Sequence, residues 1–222
     1  MKRKLPFFII IVVLGGAFLT AWYFRRSATV MTRKPTEDTS LIKSPTGSPR
    51  LGAEPPHALG SMDAHVALEE FGDFECSPCG SLHPVLKTMK TEFGSRLVIV
   101  FREFPMGSLH KHAAAAARAA EAAGLQGKFW EMHDLLYENQ KTWHEVSDVN
   151  PIFEQYATRI GLDLDRFKRD ITSEIVDKRI ALDRERGYWI GVNSTPTIFL
   201  NGREVPFESL APDKLRALIN AQ

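Results

Sequence analysis

Phe74-Glu75-Cys76-Ser77-Pro78-Cys79-Gly80, FECSPCG, holds the chain's two cysteines, two residues apart. Three readings compete for it: a structural staple, part of a metal site, or a redox centre. A disulfide across so short a span closes almost no loop and would constrain the unfolded chain little. Structural zinc takes four ligands, whereas Cys76, Cys79 and His83 supply three and no second cysteine pair exists. Thiols at i and i+3 at a helix start, by contrast, face each other closely enough to join. The first thiol sits at the unpaired N–H groups and the positive end of the helix dipole, which favour its thiolate. The second is placed to attack a mixed disulfide and release the partner. Cys76 is therefore the candidate nucleophile and Cys79 the resolving thiol.

Outward from this motif, Ala64–Phe71 alternates as a short strand, and Cys76 to about Phe93 has apolar residues at helical spacing, with Pro84 inside it as a kink. Arg96–Arg102 is an apolar run suited to a buried strand. A long helical region follows: HKHAAAAARAAEAAG (His110–Gly124), GKFWEMHDLLYENQ, NPIFEQYATRIG with Asn150 as N-cap and Pro151 at the first helical position, and DLDRFKRDITSEIVDKRIALDRERG with a charged outer face. PTIFLNGREV then reads as two strands joined at Asn201-Gly202, and Pro212–Ile219 as a terminal helix. The order implies a small α/β sheet with helices inserted between its halves.

The 222 residues carry a formal net charge of +1, and no basic stripe with interleaved aromatics appears, so nucleic acid is not an expected partner. Met1–Lys4 is basic, and Leu5–Phe24 is free of charge and long enough to cross a bilayer. The run outlasts the apolar region of a cleaved signal, and Trp-Tyr-Phe-Arg-Arg is a poor cleavage site. Residues 1–26 are thus expected to be a signal-anchor, 27–57 a flexible tether rich in Ser, Thr and Pro, and 58–222 the folded body, with a helical insertion over about 107–190. The expected location is a single pass through the bacterial inner membrane, with the body on the periplasmic or extracytoplasmic side.

The motifs together resemble the DsbA-like thiol:disulfide oxidoreductases, the membrane-anchored bacterial branch of the thioredoxin fold. FECSPCG follows a strand; Glu70 stands where these folds carry a buried acid; Pro84 matches the kink of their active-site helix; Thr195-Pro196 in GVNSTPTIFLNGREV matches their cis-proline loop; AAEAAGLQGKFWEMHDLLYENQ resembles their helical insertion. The resemblance implies a thioredoxin fold with a DsbA-like insertion and an enzyme whose redox centre is its own Cys76–Cys79 disulfide, with no added cofactor or metal. Cys76, Cys79, Thr195, Pro196 and Glu70 are the implied catalytic set, and Ser77, Pro78, Thr195 and Pro196 the substrate contacts. Strand alternation alone leaves Glu69 and Glu70 as alternatives for the buried acid; the resemblance selects Glu70, which would accept the Cys79 proton.

Implied partners are unfolded or cysteine-containing exported proteins and a membrane redox partner, either a quinone-linked oxidase or a transmembrane electron donor. The chain itself is expected to act as a monomer. A disulfide-forming oxidase is expected, with reductase, isomerase, or a non-catalytic tethered chaperone or metal carrier as alternatives. The Ser77-Pro78 dipeptide lacks histidine, Pro78 lacks an N–H, and Asp73 and Glu75, read as exposed carboxylates, repel a thiolate. These features predict a moderate rather than extreme oxidant. His110-Lys111-His112 reads as a solvated helix start, Trp130, Trp143 and Trp189 as core or interface aromatics, and Phe104, Pro105, Met106 and Leu109 as an apolar surface near the cysteines.

Overall fold

The computed structural model describes residues 51–222. Strands β1 (His57–Leu59), β2 (Val66–Gly72) and β3 (Leu97–Glu103) precede the helical region, and β4 (Thr197–Leu200) and β5 (Arg203–Val205) follow it. They form one sheet in the order β1-β3-β2-β4-β5. β2 and β3 run parallel, joined by helix α1 (Ser77–Phe93); β4 pairs antiparallel with β2, and β5 with β4 through the Asn201-Gly202 turn. Both turn residues have positive φ, as a two-residue hairpin turn requires.

Between β3 and β4 lie α2 (Ala113–Gly124), α3 (Phe129–Glu138), α4 (Gln140–His144), α5 (Asn150–Arg159), α6 (Leu164–Asp170) and α7 (Glu174–Trp189); α8 (Pro212–Asn220) closes the fold. This is the thioredoxin-like α/β fold with a helical insertion. The alanines of α2 let it pack closely, and Ala116, Ala119, Ala120 and Ala123 join Phe129, Leu136, Trp143 and Phe153 in one core. A second core lies between the sheet and helices α1 and α8, where Val66, Leu68, Leu97 and Ile99 meet Leu82, Leu86, Met89, Leu215 and Ile219.

Several sequence expectations change. Residues 51–57 are not tether. Ala53 is buried, its N–H donates to Asp183 and its carbonyl accepts from Arg102, while His57 begins an edge strand against β3. Too short and too rich in proline to show a period, this segment is fixed by partners far along the chain. Asn150 is the first residue of α5 rather than its cap, which is Val149. The charged run after Gly161 breaks at Ile171–Ser173, where Ser173 accepts from the Val176 N–H to start α7.

The anchor expected over 1–26, and the tether to residue 50, lie outside the described residues. The expected single-pass membrane location is corrected: among the described residues no helix is long and apolar enough to cross a membrane.

Candidate functional site

Cys76 is the N-cap of α1, in extended conformation, and Ser77 and Pro78 form the exposed first turn. No acidic residue lies in that turn, so the positive helix end is not neutralised there. Both cysteines are free thiols; Cys76 is 4 % exposed and Cys79 fully buried. The Cys76 Sγ lies 3.2 Å from the Thr195 carbonyl oxygen, beside the cis Thr195–Pro196 peptide. The structure thus brings Thr195, from the far end of the insertion, onto the sulfur, with Pro196 buried behind it.

The two thiols are pushed apart. Hydrogen bonding from Cys79 first, and from the Thr195 side chain rather than its carbonyl, lowers the Cys76 pKa to about 6, outweighing burial and the repulsion of Asp73. Burial, the bond to Cys76 and the nearby Glu70 carboxyl raise Cys79 well above its usual range. One sulfur is held ionised at neutral pH and the other protonated, which is the asymmetry exchange requires.

Glu70 lies beneath the pair, 2 % exposed, with its Oε1 unpartnered. Burial first, and the Cys76 charge second, raise its pKa to about 8. Glu69 points to the other face of β2, where its carboxylate accepts from Arg102 Nε at 2.8 Å and from Arg186 Nη2 at 2.7 Å. Burial opposes ionisation of Glu69, but the two guanidiniums outweigh it and hold its pKa low.

Asp73 and Glu75, read as exposed, are buried. Asp73 accepts from the Met106 N–H at 2.7 Å and pairs with His110 Nδ1 at 2.8 Å; Glu75 accepts from the His112 N–H and pairs with His144 Nδ1 at 3.0 Å. His110 and His112 are therefore not a solvated helix start, and they tie the cysteine loop to the insertion. Gln140 does the same, its Nε2 donating to the carbonyls of Phe74 at 2.7 Å and Cys76 at 2.9 Å. Gln140 and His144 were not legible as site residues, because polar groups far apart in sequence carry no shared period; Asp73 does repel the Cys76 thiolate as the sequence suggests, but from a buried position. Phe104 and Pro105 are buried rather than surface residues, and Leu109 is exposed. Trp143 is fully buried; Trp130 and Trp189 are half-buried.

His83 does not join the cysteines. Among the described residues, the one group of three with close ligand-type atoms is His83, His133 and Asp134, all within 4.8 Å of one another. Lys87 Nζ, 2.8 Å from Asp134 Oδ2, occupies one side of that group.

Residues 53–221 match the family described as Thioredoxin. A thioredoxin-like oxidoreductase from Silicibacter pomeroyi superposes with a TM-score of 0.59 at 26% identity, over 75% of this chain and 94% of that one. Alpha-DsbA1 from Wolbachia pipientis superposes with a TM-score of 0.64 at 18% identity, over 78% and 95%. Among curated proteins, one named Na(+)/H(+) antiporter NhaA 1, from Salinispora arenicola, is 36% identical over 197 residues, 87% of this chain and 29% of that protein. The chain spans less than a third of the length of the curated relatives it matches. Cys76 at a helix N-terminus, Cys79 buried behind it and a cis Thr195–Pro196 peptide against the sulfur agree with the family match: the chain belongs to the thioredoxin family and has the fold of the DsbA-type thiol:disulfide oxidoreductases.

Proposed function

We propose that the protein oxidises pairs of cysteine thiols in client proteins by dithiol–disulfide exchange. The observation that carries this is the placement of the two sulfurs, Cys76 at the N-cap of α1 against Thr195 and Cys79 buried behind it, a setting that lowers the first thiol's pKa and raises the second's. A client thiolate attacks Cys76 of the disulfide form, the Cys76–Cys79 bond breaks and Cys79 leaves. A second client thiolate then attacks the client sulfur bonded to Cys76, which forms the client disulfide and expels Cys76. That departure is easy because Cys76 is a stable thiolate at neutral pH, and a low-pKa leaving group leaves faster. The same stability favours the reduced protein and so makes the disulfide form oxidising.

Ser77 and Pro78, exposed beside Cys76, and the backbone at Thr195 and Pro196 are the surfaces that meet the client. Clients are reduced, cysteine-containing exported proteins in extended form. A separate quinone-linked oxidase returns the pair to disulfide. The redox centre is the cysteine pair itself.

The test is the reduction potential of the full chain in glutathione buffers, with the Cys76→Ser protein as control. An oxidant of this kind poises at about −120 to −180 mV, and Cys76→Ser abolishes client oxidation. A potential near about −270 mV would make the protein a thioredoxin-like reductant instead.

A further inference from the structure

Glu70 is the acid–base group next to Cys79, yet burial shuts it off from bulk water. In the exchange cycle just proposed, on which this inference rests, the group must change protonation twice. Reoxidation requires Glu70 to give up its own proton before it can accept that of Cys79. Client oxidation requires it to regain a proton after protonating the departing Cys79.

Glu70 and His133 line one small, partly open cavity of about 20 Å³, bounded by β1, β2, β3, α1 and α3. Such a volume holds a single water. Each residue presents an unpartnered buried atom, Oε1 of Glu70 and Nε2 of His133. On its other side, His133 Nδ1 lies 3.2 Å from Asp134 Oδ1, and His83 Nε2 lies 2.9 Å from the same oxygen. A carboxylate only accepts, so both imidazole nitrogens facing Asp134 carry hydrogen. The Nε2 of neutral His133 is therefore an acceptor. Asp134 is one-third exposed, and Lys87 Nζ holds its second oxygen at 2.8 Å. Buried carboxyl, cavity, imidazole and solvent-touching carboxylate form a graded series from the cysteines outward.

We propose that the Glu70 proton moves to and from solvent through one water in this cavity, then His133 and Asp134, with Lys87 and His83 as positioning residues on Asp134. In reoxidation the Glu70 proton passes to the water as the water gives its own to His133 Nε2, and the Nδ1 proton leaves to Asp134 and solvent. Glu70, now a carboxylate, takes the Cys79 proton as Cys79 attacks the mixed disulfide on Cys76. In client oxidation Glu70 protonates the departing Cys79 and is reprotonated through the reverse steps. The ring runs outward once and inward once per cycle, so it returns to its starting tautomer, and no net proton accumulates. The titratable groups facing the path are Glu70 from β2, Cys79, His83 and Lys87 from α1, and Asp134, Tyr137 and Glu138 from α3. Tyr137, with its ring centre 5.0 Å from that of His133, stays protonated because burial raises its pKa.

The experiment mixes the reduced full chain with excess oxidised glutathione, quenches with acid and resolves the species by mass. Two steps are read separately: formation of the glutathione mixed disulfide on Cys76, and its resolution by Cys79. His133→Phe keeps an aromatic ring among Phe101, Phe129 and Tyr137 but removes both nitrogens. Resolution is expected to slow about tenfold, less than the loss of a direct general acid–base group would cost, and to lose its pH dependence between about pH 6 and 9. Mixed-disulfide formation should stay within about twofold. Asp134→Asn, which keeps the side chain's shape at a one-third-exposed position, should slow the same step, and His133→Phe should add nothing further in a Glu70→Gln background. Resolution unchanged in both His133→Phe and Asp134→Asn, with Glu70→Gln still slow, would overturn the route while leaving the exchange reading intact. Failure of the native chain to form any mixed disulfide at Cys76 would instead overturn the exchange reading itself.

Discussion

Glu69 and Glu70 are neighbours on one strand with the same side chain, and the two faces of β2 treat them in opposite ways. On one face Glu69 meets Arg102 and Arg186 and is held ionised. On the other, Glu70 meets Leu86, Ile99, Trp130 and His133 around a small cavity, and is held neutral up to a pKa of about 8. Glu70 is buried and Glu69 half-buried, so both lose hydration and burial alone does not separate them. The difference is whether desolvation is offset by a guanidinium. The first face pairs its carboxylate with two guanidiniums; on the second one carboxyl oxygen has no partner, which costs stability and, in the exchange cycle proposed above, supplies a group that changes protonation.

The sharpest way to break this comparison is kinetic. Glu70→Gln should slow resolution of a Cys76 mixed disulfide by about 100-fold, whereas Glu69→Gln should leave it within about twofold. Rapid-quench measurement of both proteins decides; equal slowing would mean the two faces are not functionally distinct.

A smaller effect, opposite in sign, belongs to stability. Glu69→Ala leaves the nearly buried Arg102 without its Nε partner and should cost about 3 kcal/mol in urea unfolding. Glu70→Leu removes an unpartnered carboxyl oxygen from an apolar wall and should be neutral or stabilising by about 1 kcal/mol. A loss at Glu70 as large as that at Glu69 would show that its carboxyl has a partner in solution.

The pH dependence sharpens the contrast further. Glu70 is raised from 4.5 to about 8 in the folded chain, so between those values the folded state binds the extra proton. Its contribution therefore falls as pH rises through that window, with a limiting slope of about 1.4 kcal/mol per pH unit for one proton. Glu69 is lowered, so its contribution is present above 4.5 and is lost as pH falls through its depressed folded value. The reduced protein hides part of this, because Cys76, lowered from 9.0 to about 6, gains stability with rising pH. In the disulfide form, Glu70→Gln should flatten the decline between pH 4.5 and 8, and Glu69→Gln should remove part of the loss at acid pH. The check is unfolding free energy against pH for the three oxidised proteins.

The structure bears out the α/β class, the hairpin after Thr195-Pro196 and the helical insertion read from the sequence. Each rests on a local signal: helical spacing after Cys76, the high helix propensity of the alanine run, and the turn chemistry of Asn201-Gly202. The thiol pair was equally visible, because its chemistry depends on a two-residue spacing and a helix start. What stayed hidden depends on groups brought together from far apart. β1 is a strand because β3 offers it an edge, and residues 51–56 are fixed because Asp183, Arg102 and Arg179 reach them. Asp73 and Glu75 look like surface acids, yet His110, His112, Met106 and His144 give them buried partners. Strand alternation stated that Glu69 and Glu70 face opposite ways but contained nothing to say which faced the thiols.

The amino-acid sequence by itself therefore determined the candidate nucleophile, its resolving partner and the order of β2 to β5 with the helical regions between and after them, since these follow from spacing, propensity and turn residues along the chain. Only the tertiary structure decided which carboxyl is charged, which histidines meet a carboxylate and where Thr195 lies against a sulfur. An ionisable side chain takes its pKa from neighbours within a few ångströms, and here those neighbours come from elements separated by the whole helical insertion.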